Sequence, residues 1–177
     1  VAGHSLGEYS ALCAAGSLSL SQTAKLLRLR GKAMQNAVKF ELGAMAAIIG
    51  LNFNQVSEVV KEVQKTEFCE IANYNEANQI VISGFKKAIL LAMEVAKEFG
   101  AKRCILLNVS APFHCKLMKP AAETMKKELD KCKISNPNCP IIMNVDAELH
   151  DNKDIIRNNL YKQITDMVKW KEIVEKI

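Results

Sequence analysis

The sequence opens on Gly3-His4-Ser5-Leu6-Gly7, and no other stretch limits the possible folds so strongly. Glycine-x-serine-x-glycine is the pattern of a nucleophile elbow: a strand ends, the chain turns sharply at the serine, and a helix begins. Glycines are needed where a side chain would collide with the adjoining strand and helix. The turn thrusts the Ser5 hydroxyl out of the backbone. It also places the Leu6 N–H at a helix N-terminus, where it can stabilise a developing oxyanion. The bare pattern also arises by chance, so its meaning depends on a strand before it and a helix after it. Only Val1 and Ala2 precede the pattern. The expectation is therefore a piece of a longer fold, cut at the front and at the back, with any leader segment beyond judgement.

A chain of 177 residues can bury a core as one domain, with or without an inserted lobe. No apolar run approaches the ~20 residues that cross a bilayer, so no membrane role is expected. The net charge of +5 favours acidic partners. The lysines are scattered and the aromatics few, which argues against nucleic acid. None of the six cysteines forms a C-x-x-C pair or a zinc-like spacing with histidine, so no metal is expected. Reduced thiols and a cytoplasmic location are the simplest reading.

Hydrophobic periodicity orders the rest. Leu6–Ala15 reads as a helix ended by Gly16. Ser19 and Gln22 form a capping box for a helix over Leu20–Val38. On that helix Leu20, Ala24, Leu26, Leu27, Met34, Ala37 and Val38 share a broad face, opposite Lys25, Arg28 and Lys32. Residues 43–107 then carry strand Met45–Leu51, helix Asn54–Lys65, strands Glu70–Asn73 and Gln79–Ser83, helix Lys86–Phe99 and strand Arg103–Leu107. This β-α-β-β-α-β order is that of a ferredoxin-like unit, inserted between residues 1–42 and 108–177. A loop held extended by Pro112 follows, then a helix over Cys115–Cys132 with Leu117, Ala121, Met125 and Leu129 four apart. A short strand Ile141–Val145, a helix from Asp151 or Asn152 to about Thr165, and a last helix near Trp170 complete the chain.

Arg30 falls in the middle of the apolar face of its helix. A lone buried guanidinium costs several kcal/mol, so it requires a carboxylate, and its fork suits a bidentate one. That carboxylate belongs either to an internal Asp or Glu or to a ligand; alternatively the stem snorkels to water. Ser5 needs a base to take its proton. His150, in Glu148-Leu-His-Asp-Asn, reads as a solvated loop residue. His4 adjoins the serine, and neighbours at an elbow point apart, so it lines the pocket rather than serving as the base. His114 lies in a loop just after a strand, a common place for catalytic groups, and is either the base or a packed structural histidine.

The run Gly3–Leu12, GHSLGEYSAL, resembles the acyltransferase family that moves malonyl groups from coenzyme A to acyl carrier protein. The resemblance continues through Arg30-Gly31, Gly43–Gly50, Asn73-Tyr-Asn75, Val81–Gly84, Val109–His114 and Asn144-Val-Asp146. It implies an α/β fold with a hydrolase-like core around a parallel sheet, incomplete here, plus the inserted ferredoxin-like subdomain. It implies Ser5 as nucleophile, His114 as base, and Arg30 as the holder of the malonyl carboxylate. The backbone carbonyl of Gln163 would orient the histidine, although Gln163 also reads as an exposed helix residue. Leu6 supplies the oxyanion amide, and His4, Asn75 and Phe113 face the substrate. Glu76-Ala77-Asn78 departs from the family's serine, proline and glycine turn, which leaves the placing of Asn75 open. Phe113 resembles malonyl-selecting members. Malonyl-CoA and acyl carrier protein are the implied partners, with no cofactor beyond the substrate thioester.

The family also uses a glutamine in an N-terminal glycine-rich motif to complete the oxyanion hole. That motif is not among these residues, so the 177 residues alone are expected to be nearly inactive. Other readings are a serine hydrolase or thioesterase, an acyltransferase of different acyl-CoA specificity, and a non-catalytic docking module. An esterase has no use for a carboxylate clamp at Arg30.

Overall fold

The computed structural model describes residues 1–39 and 41–177, and its elements follow the hydrophobic pattern with shifted ends. Helix α1 (Leu6–Ala14) starts at the elbow. Gly16 then turns the chain at φ 73°, a conformation that favours glycine. The Ser19–Gln22 capping box is formed in both directions and starts α2 (Leu20–Asn36). The buried stripe of α2 is Thr23, Leu26, Arg30 and Met34, which is i, i+3, i+4 spacing. Leu20 and Ala24, expected on that face, are exposed instead. The helix rests on α1 and on α5 (Lys119–Lys131), and that narrow seat buries a single stripe rather than a broad face.

Strands β1 (Gly43–Ile49), β2 (Cys69–Glu76), β3 (Gln79–Phe85) and β4 (Arg103–Leu106) form one antiparallel sheet in the order β2-β3-β1-β4. Helices α3 (Phe53–Val63) and α4 (Lys86–Glu98) connect them. Val56, Val59, Val60 and Val63 of α3 and Ala88, Ile89, Ala92 and Ala96 of α4 pack on Ala44, Ala46 and Ile48 of β1. The alternate residues Met45 and Ala47 face the other way, against Ala72, Val81 and Phe113, as the two-residue period of a strand requires. Gly43 lies against Pro112, whose ring stands where a Cβ would go, at 2.3 Å. That contact ties the sheet to the loop carrying His114.

A single 3₁₀ turn, Lys116–Met118, precedes α5. The helix expected from Cys115 is delayed because Pro120 occupies its first turn, where a missing N–H costs nothing. Met118, rather than Leu117, therefore joins Ala121, Met125 and Leu129 in the buried row. The strand expected over Ile141–Val145 stops at Ile142 as β5 (Ile141–Ile142). The chain then leaves for a turn with Ala147 at φ 56° and returns as β6 (Leu149–His150). Asn152 caps α6 (Lys153–Lys162), accepting from the N–H groups of Asp154 and Ile155. Helix α7 (Trp170–Lys176) comes last. Ala2 makes one parallel bridge to Ile142, and Asn73 another to Val168; the strands of both sheets pair antiparallel.

Candidate active site

Ser5 holds φ 49° and ψ −108° at the head of α1, a backbone region costly for any residue with a Cβ. A Cβ on Gly3 would sit 2.0 Å from the Gly7 carbonyl oxygen, so the turn needs glycine there. Gly7 is different: a Cβ would meet nothing within 4 Å among the described residues. The collision argument thus applies to one glycine of the pair.

What keeps Ser5 in this conformation is a set of hydrogen bonds from distant residues. Asn144 Oδ1 accepts from Ser5 N at 2.7 Å, and its Nδ2 donates to the Gly3 carbonyl at 2.8 Å. Gln163 Nε2 donates to the Ser5 carbonyl at 2.9 Å. Both backbone polar groups of the serine are therefore held by side chains.

Ser5 Oγ lies 2.7 Å from His114 Nε2, and His114 Nδ1 lies 2.8 Å from the carbonyl oxygen of Gln163. A carbonyl only accepts, so Nδ1 carries the ring proton and Nε2 is left to accept from the serine hydroxyl. Burial pushes His114 down to about 3, with the Arg30 charge adding to the effect and the bond to Gln163 opposing it. The imidazole is therefore neutral, with Nε2 free to take a proton, at ordinary pH. His114 itself sits at φ 57°.

Arg30 Nη2 donates to Ser5 Oγ at 3.0 Å and to Gln163 Oε1 at 3.0 Å. Its guanidinium lies 5.8 Å from the centre of the Tyr9 ring, within cation–π range. Among the described residues no carboxylate pairs with it, and its buried Nε has no hydrogen-bond partner. The guanidinium does not snorkel, since Arg30 is buried. Of the sequence alternatives, the direct internal ion pair and the solvent-reaching stem are both absent among the described residues.

Gln163 links Arg30 to an acid, Glu8, which is fully buried. Its Oε1 accepts from Asn144 N at 2.6 Å and its Oε2 from Gln163 Nε2 at 2.6 Å. Burial pushes its carboxyl up to about 8, against those two hydrogen bonds and the Arg30 charge. Glu8 and Asn144 lie in runs that carry the resemblance, but the sequence assigns neither a role. The available signal is a mismatch of polarity: Glu8 lies i, i+4 from Leu12 on the buried face of α1, and Asn144 interrupts an apolar run. Gln163 likewise departs from its reading as an exposed helix residue, being fully buried with every side-chain polar atom engaged.

His4 bonds away from the Ser5 hydroxyl. Its Nε2 donates to Asn75 Oδ1 at 2.9 Å, and its ring meets Trp170 edge-on at 5.2 Å. These residues and Glu76 line an open pocket of about 690 Å³, so Asn75 faces a cavity despite the altered turn after it. His114 borders a second cleft of about 370 Å³ with Glu70, Lys116 and Thr165. Phe113 is half-buried between the helical core and the sheet. The Leu6 side chain is exposed beside the elbow. His150, read as a solvated loop residue, is instead half-buried in β6, its Nε2 donating to Asp146 Oδ2 at 2.8 Å. Asn159 donates to the same oxygen, so the imidazole closes a local tie between the hairpin and α6. Among the described residues no three His, Cys, Asp or Glu side chains gather as metal ligands, and no helix is long and apolar enough to cross a membrane.

Known proteins can be set beside this geometry. The chain is 46% identical over 177 residues to the malonyl CoA-acyl carrier protein transacylase of Bacillus subtilis (strain 168), an alignment covering 99% of the chain and 56% of that protein. The solved acyl-carrier-protein-S-malonyltransferase of Bartonella henselae superposes with a TM-score of 0.97 at 51% identity, covering 99% of the chain and 56% of its own. A type II PKS acyl-carrier protein in complex with its malonyl-transacylase aligns with a TM-score of 0.97 at 43% identity, covering 99% and 57%. The chain thus spans little more than half the length of the relatives it matches. Residues 1–177 all fall within the family model for the acyl transferase domain, and the chain belongs to that family.

Proposed function

We propose that the protein carrying this chain moves a malonyl group from coenzyme A to the phosphopantetheine thiol of acyl carrier protein, supplying fatty-acid synthesis. The observation that carries this reading is the Ser5 hydroxyl held between a neutral imidazole and a buried guanidinium that, among the described residues, no carboxylate pairs with. A hydrolase needs the first neighbour only. A donor carrying a free carboxylate needs both.

In the first half-reaction Ser5 Oγ attacks the thioester carbonyl while its proton passes to His114 Nε2. The Leu6 amide, at the head of α1, donates to the tetrahedral oxyanion, and Arg30 grips the malonyl carboxylate. The C–S bond breaks, and the proton on His114 leaves with the coenzyme A thiolate. In the second half-reaction the carrier thiol gives its proton to His114, its sulfur attacks the malonyl-serine carbonyl, and the C–O bond breaks. Ser5 then recovers the proton. The Gln163 carbonyl stabilises the imidazolium through Nδ1–H in both halves.

His4 and Asn75 face the substrate arm from the larger pocket, and Phe113 limits branching at the acyl group. No metal or resident cofactor takes part. Residues 43–107 form a ferredoxin-like unit inserted in a hydrolase-like core made by residues 1–42 and 108–177. The β-α-β-β-α-β order and the Ala2–Ile142 parallel bridge support this division. The relatives named as malonyl transferases, and the one solved with its carrier protein, support the choice of substrates. A cytoplasmic location agrees with six unpaired cysteines.

The test is Ser5→Ala in the natural polypeptide that contains these residues. Radioactive malonyl-CoA is expected to label the parent protein and leave the variant unlabelled. Labelling that persists in the variant refutes the mechanism.

A further inference from the structure

The side-chain amide of Gln163 touches Arg30, Ser5 and Glu8 at once. Which end of that amide faces which neighbour is settled by chemistry. A guanidinium cannot accept a hydrogen bond, so Oε1 faces Arg30. Both hydrogens of Nε2 then need acceptors, and they find the Ser5 carbonyl and Glu8 Oε2, at 2.9 and 2.6 Å. The second carboxyl oxygen of Glu8 is occupied by the Asn144 N–H at 2.6 Å. Turned by half a rotation, the amide would set Oε1 against the Glu8 oxygen and NH₂ against the guanidinium. Glu8 and Arg30 between them leave the amide one orientation.

Resting on the malonyl-transfer reading of Ser5 and Arg30, we infer that Glu8 is a positioning residue for acyl selectivity. It locks the Gln163 amide so that Oε1 holds the Arg30 guanidinium over Ser5 Oγ. The carboxyl never reaches substrate; it acts through Gln163. Among the described residues it also supplies the only acidic group hydrogen-bonded into this network, at one remove from the cation. A direct Glu8–Arg30 pair would occupy the fork needed by the acyl carboxylate. The intervening amide passes the hold of Glu8 on to the guanidinium while leaving the fork free. The donors on both carboxyl oxygens pull its pKa down, but burial outweighs them and holds Glu8 at about 8.

Glu8→Gln tests this in the natural polypeptide. The substitution replaces one acceptor oxygen by an NH₂, so one of the two donors facing this position loses its partner. The Gln163 amide then loses its fixed orientation. The readout is KM and kcat for malonyl-CoA and, separately, for acetyl-CoA, which has no carboxylate to place. The malonyl KM is expected to rise about tenfold or more relative to the acetyl KM, the scale of one misplaced charge-assisted hydrogen bond. A purely structural Glu8 would lower both activities in parallel. Gln163→Met provides a second arm should Glu8→Gln not fold, because it keeps the backbone carbonyl on His114 and deletes the amide link. The same malonyl-specific rise is expected. Parallel loss for both acyl groups, or an unchanged KM ratio in both variants, overturns the role of Glu8. A parent protein that forms no malonyl ester overturns the reading beneath it as well, and the unsubstituted control separates the two failures.

Discussion

Arg30→Met removes the charge while keeping most of the stem that packs in α2, and it separates a structural arginine from a functional one. A buried arginine paired to a carboxylate is expensive to remove, at about 3–5 kcal/mol, because the acid is left uncompensated. Arg30 has no such partner among the described residues. Its loss orphans Gln163 Oε1, a cost of about 1–2 kcal/mol, and relieves a desolvated charge whose Nε donates to nothing. The two effects oppose, so stability should stay within about 2 kcal/mol of the parent. Catalysis should not stay. Losing two charge-assisted hydrogen bonds to the malonyl carboxylate costs about 3 kcal/mol, roughly two orders of magnitude in kcat/KM. Acetyl transfer loses only the Nη2 bond to Ser5 Oγ, about 1 kcal/mol or roughly fivefold. Urea titration gives the first quantity, and transfer assays with malonyl-CoA and acetyl-CoA give the second. An equal fall for both acyl groups, or a stability loss well above about 3 kcal/mol, would refute the assignment of Arg30 to the ligand.

Two further outcomes follow from the geometry. Gly3→Ala places a Cβ 2.0 Å from the Gly7 carbonyl and should destroy both the elbow and malonyl-serine formation. Gly7→Ala enters open space in a helix and should keep the thermal midpoint or raise it by the helix preference for alanine, about 0.5–1 kcal/mol; equal damage from the two would show that close approach is not what requires the glycine. The acid limb of malonyl-enzyme formation should fall well below 6.5, because burial lowers His114 to about 3. Below 6.5 the unfolded chain binds the proton and the folded one resists it, so the His114 contribution is fully present above 6.5 and is lost as pH falls toward about 3. A kinetic limb centred at 6.5 or higher would contradict the burial of the base.

Much of the scaffold was legible because it repeats. The valine row of α3 and the alternation in β1 each state a period, and the period survives any error at the ends. The Ser19 capping box was legible for a similar reason: its two residues speak to each other across one turn. Leu20 is exposed although it lies on the apolar side of the helical wheel, because the wheel counts apolar residues and the supporting surface is narrow. The site divides in the same way. Ser5, Arg30 and His114 stand out locally, by a turn pattern, a charge on an apolar face and a loop after a strand. Glu8, Asn144 and the side chain of Gln163 do not, because their roles exist only between segments 133 residues or more apart. Gln163 in particular looks solvent-facing until α6 is docked, where it binds Arg30, Ser5 and Glu8 together.

Those separations carry a consequence for timing. The N–H of Ser5 is held by a residue 139 positions later, its carbonyl by one 158 positions later, and its hydroxyl by one 109 positions later. During synthesis the serine leaves the ribosome before all three of these partners, and contacts this distant form only when the intervening chain is in place. With Ser5 as the proposed nucleophile, an unfinished chain would carry the residue without its base or the side chains that hold its backbone.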